Sequence, residues 1–156
     1  VRGRPVVTAA AQARPGRVWE CSHTGGHRFA PTAITLPSGQ MWGRLTADLA
    51  VRALDEEQRR RIPAELNDPL HNRGRSCLPP PAQAGEVVWR ARSGELAHGG
   101  VETDVHPDAL DPDRFDVVVR HRDGRADQVA LRRVTVPELR DSCRKPLGPV
   151  RAWQIS

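Results

Sequence analysis

Apolar positions recur along this chain with two periods. A helical period is carried by three stretches. Residues 5–14 open on Pro5, which suits a first helical position, and run through good helix formers until Pro15-Gly16 stops them. Thr46 supplies an N-cap for a helix over 47–61, with Leu49, Ala50 and Leu54 on one face and Asp55, Glu56 and Glu57 on a solvated one. Pro79-Pro80-Pro81 leads into a third helix over 82–92 that carries Val87, Val88 and Trp89.

Alternation with period two marks the strands. Residues 115–121 and 128–134 face each other across Asp123-Gly124 as a β-hairpin, and 32–36 and 41–45 do so across Pro37-Ser38-Gly39. Residues 150–155 alternate as a last strand over the core, and the apolar pair Val18-Trp19 predicts a short buried strand over 17–22. Helices mixed with hairpins predict an α/β (α+β) fold.

The remaining stretches read as connections. Pro63 to Pro69 is a breaker-rich junction, which divides the chain into 1–62 and 63–156 within one compact body. Residues 93–112, rich in Gly, Asp and Pro, read as a loop holding His98 and His106 in solvent, without further donors at ligand spacing. Arg73 and Arg75 read as surface or partner contacts on an ordered loop, and His121 as a structural histidine facing solvent or the far side of the sheet.

At 156 residues the chain has room for one modest core. No apolar run approaches the roughly 20 residues of a membrane span, and no signal-peptide core stands at the start, so the expectation is a cytoplasmic protein without membrane contact. Three cysteines, odd in number and far apart, make no disulfide framework and fit a reducing compartment. The net charge of +5 comes almost wholly from arginine, Lys145 being the sole lysine among 24 basic residues. Acids are interspersed, and four Trp and two Phe are too few to interleave a basic stripe, which argues against nucleic acid. A basic surface does steer acidic redox partners. No phosphate loop, nucleophile elbow or CxxC pair is present, and no carboxylates stand in a distinctive setting, so the chain is not read as an enzyme.

The concentrated chemistry lies in Cys21-Ser22-His23-Thr24-Gly25-Gly26-His27-Arg28-Phe29-Ala30. Two imidazoles stand four residues apart around paired glycines, which favour a turn over a helix. In such a turn both rings can converge on one iron, zinc or copper ion. Cys21 stands two residues before His23 and is read as a packed side chain beside the site, ahead of service as a ligand. Cys77 and Cys143 have no spacing that recommends a Cys2His2 zinc site. Three possibilities stay open: a metal cluster, a mononuclear zinc or iron site using the His pair with Cys21, and a metal-free structural or binding module.

The run from Val18 to Leu45 resembles the sucrase/ferredoxin-like family. That family is marked by a His-x-Gly-Gly-His-[Lys/Arg]-[Phe/Tyr]-Ala segment, here His23 to Ala30, a Pro-x-Gly turn, here Pro37 to Gly39, and a Gly-Arg pair, here Gly43-Arg44. Arg73-Gly74-Arg75-Ser76 and the tail from Leu139 to Cys143 with its Trp153 strand are similar to the family as well. The resemblance implies a thioredoxin-like ferredoxin scaffold and a [2Fe-2S] cluster held by two cysteines and by His23 and His27. Gly25, Gly26, Arg28 and Cys21 would then lie around the ligands. The family's two cysteines precede the histidines, and no cysteine precedes Cys21 here. The expectation is therefore an electron carrier whose scaffold lacks its start: 1–62 as the later part of the cluster-binding unit and 63–156 as a helix, a C-terminal β-hairpin extension and a final strand. Such a chain serves a redox partner protein and, on its own, holds no cluster.

Overall fold

The computed structural model describes residues 3–21, 26–139 and 146–156. In chain order the elements are α1 (Gly3–Ala13), β1 (Ala33–Thr35), β2 (Gln40–Trp42), α2 (Ala47–Gln58), β3 (Asn72–Arg75), α3 (Pro80–Ser93), β4 (Val101–Pro107), β5 (Arg114–His121), β6 (Ala126–Leu139) and β7 (Gly148–Ile155). They form two antiparallel sheets, ordered β1-β2-β3 and β4-β5-β6-β7. The mixed α+β expectation holds.

Each sheet has its own core. In the first, Trp42, Ala50, Ala53, Ile62 and Leu66 are buried with Ala10 of α1, and Val18 packs at its margin. In the second, Val88 and Trp89 of α3 lie on Val117, Val119, Val129 and Leu131 of the sheet. β3 pairs with β2 while α3 packs on β3 as well as on the second sheet, so this strand–helix unit joins the two cores.

The helices form where caps and apolar stripes place them. The Thr46 hydroxyl accepts the Leu49 N–H at 3.3 Å, and α2 ends at Gln58, three residues short of expectation. α3 begins two residues earlier than expected, at Pro80, and closes on left-handed Gly94. The hairpin expected over 115–134 is the middle of a four-stranded meander, with Val117 opposite Val129.

Four expectations need correction. Residues 17–21 form no strand: among the described residues they pair with no other strand, and Trp19 is 82% exposed. Residues 72–75 are not a surface loop but β3, its Asn72 opposite Trp42. The stretch 93–112 holds a full strand, β4, whose Val101, Thr103 and Val105 alternate with exposed acids and a histidine and pair with β5. Glu57 is buried, not solvated, because α2 turns it toward the β1–β2 turn, where it accepts hydrogen bonds from the Ser38 N–H and Oγ at 3.0 and 2.7 Å.

Candidate functional site

His27 opens a 3-10 turn, His27–Phe29, behind Gly26 in the left-handed region. The turn is closed by the Phe29 N–H on the Gly26 carbonyl at 2.8 Å and fastened to the first sheet by the Arg44 N–H on the Phe29 carbonyl at 2.6 Å. Gly43 is what lets the chain after β2 come so close. A Cβ there would stand 3.0 Å from the Phe29 Cβ and 3.3 Å from its carbonyl oxygen. The Gly-Arg pair is thus the seat of the histidine turn, and Arg44 itself sits at φ 54°.

His27 is exposed at the head of this turn. His23 and Gly25 lie outside the described residues, as does Cys143. Cys21 is exposed, which corrects the expectation of a packed thiol: the segment 17–21 runs over the surface with no sheet to bury it. Cys77 is exposed too, just past the Arg75 end of β3, where the Ser76 N–H meets the Gly39 carbonyl of the β1–β2 turn. The histidine turn sits by the other end of that strand, where the Gly43 N–H meets the His71 carbonyl, so the sheet keeps Cys77 and His27 at opposite ends.

Around Phe29 the charge is positive. The Arg73 guanidinium lies 3.8 Å from the ring centroid and that of Arg28 4.7 Å from it. Arg73 donates to the Pro69 carbonyl at 3.2 Å, and Arg28 donates to the Arg151 carbonyl on β7 at 3.0 Å. Burial, then the charges of Arg28 and Arg44, hold Arg73 below its ordinary pKa. Two recesses flank the turn. One of about 120 Å³ runs between Phe29, Arg73, Gln83 and Trp42, and a wider one of about 340 Å³ between Arg28, Phe29, Pro149 and Arg151.

Two other ionisable clusters went unseen in the sequence. His98, expected in solvent, is buried with its Nε2 3.1 Å from Glu57 Oε2, because Arg60 and Leu96 bring its loop against α2 by backbone bonds. His121 is buried as well, stacked on Trp89 with centroids 5.8 Å apart, its Nδ1 2.8 Å from Asp123. Glu95, His121 and Asp123 have donor atoms close enough to share a cation, but Arg125 already pairs with Glu95 at 2.5 Å and Asp123 at 2.8 Å. Those bonds from Arg125, with a further one from His121, hold Asp123 far below the usual carboxylate range. His106 stands in solvent as expected, beside Asp104.

Fold and site together define an α+β protein that presents a histidine turn, lined with arginine, at the rim of a small antiparallel sheet. The family model for sucrase/ferredoxin-like proteins matches residues 4–66. This part of the chain, which builds the first core and carries the turn, is similar to that family. No curated protein and no solved structure matches the chain.

Proposed function

We propose that the chain is the imidazole-bearing part of an electron carrier. Its [2Fe-2S] cluster takes His23 and His27 as nitrogen donors and two thiolates from outside these 156 residues as sulfur donors. The observation that supports this most is the family match over 4–66, which spans the His-x-Gly-Gly-His segment. The exposed imidazole of His27, on a turn pinned by backbone bonds, is of a donor type that suits iron. When bound, the cluster supplies one-electron transfer, at a higher potential than an all-thiolate centre.

The chain's own residues have three tasks in this scheme. His27 presents a ring nitrogen, and the Gly43-Arg44 seat fixes where that ring stands. Arg28 and Arg73 place positive charge beside the site, which favours its electron-rich state. An acidic redox partner protein suits the chain's net charge of +5.

The test is the polypeptide translated from the complete reading frame, purified without oxygen. It is expected to be reddish-brown with charge-transfer absorption, to lose that colour on His23→Ala or His27→Ala, and to show a midpoint potential that falls as pH rises through the imidazole pKa. The 156-residue chain alone is expected to be colourless. A colourless product of the full frame, with stoichiometric zinc or with no metal, would sink the assignment.

A further inference from the structure

Among the described residues, eleven arginines pair with a carboxylate. Arg14 pairs with Asp55, Arg52 with Glu65, Arg75 and Arg90 with Glu86, Arg92 with Asp127, Arg125 with Glu95, and Arg133 with Asp113. Arg28, Arg44, Arg73 and Arg151 come from the histidine turn, the loop after β2, β3 and β7, and among the described residues none of them pairs with a carboxylate. Three elements far apart in sequence bring the charges of Arg28, Arg44 and Arg73 to one place, at a cost in repulsion that an anion from outside would offset, and β7 adds the Arg151 backbone beside them.

The charges are also positioned. Arg28 and Arg73 stack on the same ring, and each spends one N–H on a backbone carbonyl, which leaves most of the five donors of each guanidinium unspent. A guanidinium fixed in this way makes paired bonds to a carboxylate or phosphate without losing further side-chain freedom. We propose that Arg28, Arg44 and Arg73 around Phe29 form a binding site for the oxyanion group, phosphate or carboxylate, of a small molecule.

The recesses favour a small ligand over a macromolecular face. Arg73 is only partly exposed and lines the narrower recess, beyond the reach of a flat acidic surface, while the wider one of about 340 Å³ opens between Arg28 and Arg151. The site needs no iron, so it stands whether or not the histidine turn holds a cluster.

The test uses the metal-free 156-residue chain, with thermal unfolding followed in sodium phosphate, sodium succinate and sodium chloride at matched ionic strength. Phosphate or succinate is expected to raise the midpoint above the chloride value in a saturable way. A phosphate response alone identifies a phosphate ester as the ligand, and a succinate response a carboxylate. Arg28→Gln and Arg73→Gln should each weaken the apparent affinity about tenfold, the loss of one charge-assisted contact, while Arg120→Gln, on β5 two strands away from β7, leaves it unchanged. Should Arg73→Gln fail to fold, Arg28→Gln carries the comparison. Equal midpoints in all three salts, or an undiminished response in Arg28→Gln, overturn the proposal. Binding of poly-glutamate without any small-anion response overturns it in favour of an acidic protein partner.

Discussion

His98 and Glu57 show what one side chain contributes when tertiary structure takes it out of water. Each is 8% exposed, and neither ring nitrogen of His98 has a well-aligned hydrogen-bond partner. Burial, outweighing the attraction of Glu57, holds the His98 pKa below its ordinary 6.5. Burial pushes Glu57 the other way, but the two bonds from Ser38, with smaller help from Thr35 and His98, keep its carboxyl below the usual range. In the unfolded chain His98 takes its proton near pH 6.5, while the folded protein resists until lower pH. The unfolded state therefore binds more protons in that window, and stability falls as pH drops below about 6.5. Glu57 acts in the same direction at lower pH, since its unfolded form protonates first. Urea midpoints measured from pH 7.5 down to 5 should fall in the native protein and fall less steeply in His98→Gln. An unchanged slope in that variant would place the acid sensitivity elsewhere.

At the scale of elements, the contact of α3 with β5 sets two propensities against each other. Gly85 lies inside α3, where alanine is ordinarily better by about 1 kcal/mol. A Cβ at this position, however, would stand 2.5 Å from Val117 Cγ1 and 2.7 Å from its Cβ, and Val117 is fully buried and β-branched. Overpacking of that kind costs roughly 1–3 kcal/mol, so Gly85→Ala should lower stability by about 1 kcal/mol despite its helical gain. Chemical denaturation of this variant, compared with alanine at a solvent-facing α3 position such as Ser93, checks the sign.

That contact also explains which elements could be read from the sequence. α2, α3 and the β1–β2 and β5–β6 hairpins carry local signals, a Thr46 cap, a proline start, a Pro-Ser-Gly turn and an Asp-Gly turn, and all of them form. β3 carries none. Asn72-Arg-Gly-Arg75 is a strand because β2 offers it an edge and because Arg75 reaches Glu86, neither of which leaves a mark in local pattern. β4 was hidden by its acids and by the glycines before it, although Val101, Thr103 and Val105 do alternate. At the candidate site, His27 and its Gly-Arg seat were legible as a motif. The arginine cluster was not, since Arg28, Arg44 and Arg73 converge only through the fold.

The whole molecule turns on how two cores are held to each other. The first sheet meets the second through α3, which packs on β3, and through the Arg61–Ala97 bridge before β4, and the side-chain link is Glu86, 1% exposed, which accepts from Arg75 at 2.9 Å and from Arg90 at 2.8 Å. Arg75 goes on to the Val101 carbonyl at the start of β4, and Arg90 to the Ala97 carbonyl. One carboxylate thus ties the first sheet, α3 and the second sheet. Glu86→Gln keeps the volume but leaves Arg90, 2% exposed, as a buried charge without a counter-ion, a loss of about 3–5 kcal/mol. Loss of this tie should also divide the molecule. In the native protein, hydrogen exchange is expected to give amides of β2 and of β5 one common opening free energy. In Glu86→Gln the two sheets should open at different free energies, because β3 alone no longer transmits the stability of one to the other. A uniform drop across both sheets would mean that the packing of α3 on β3 and the Arg61–Ala97 bridge, rather than the buried carboxylate, make the fold a single cooperative unit.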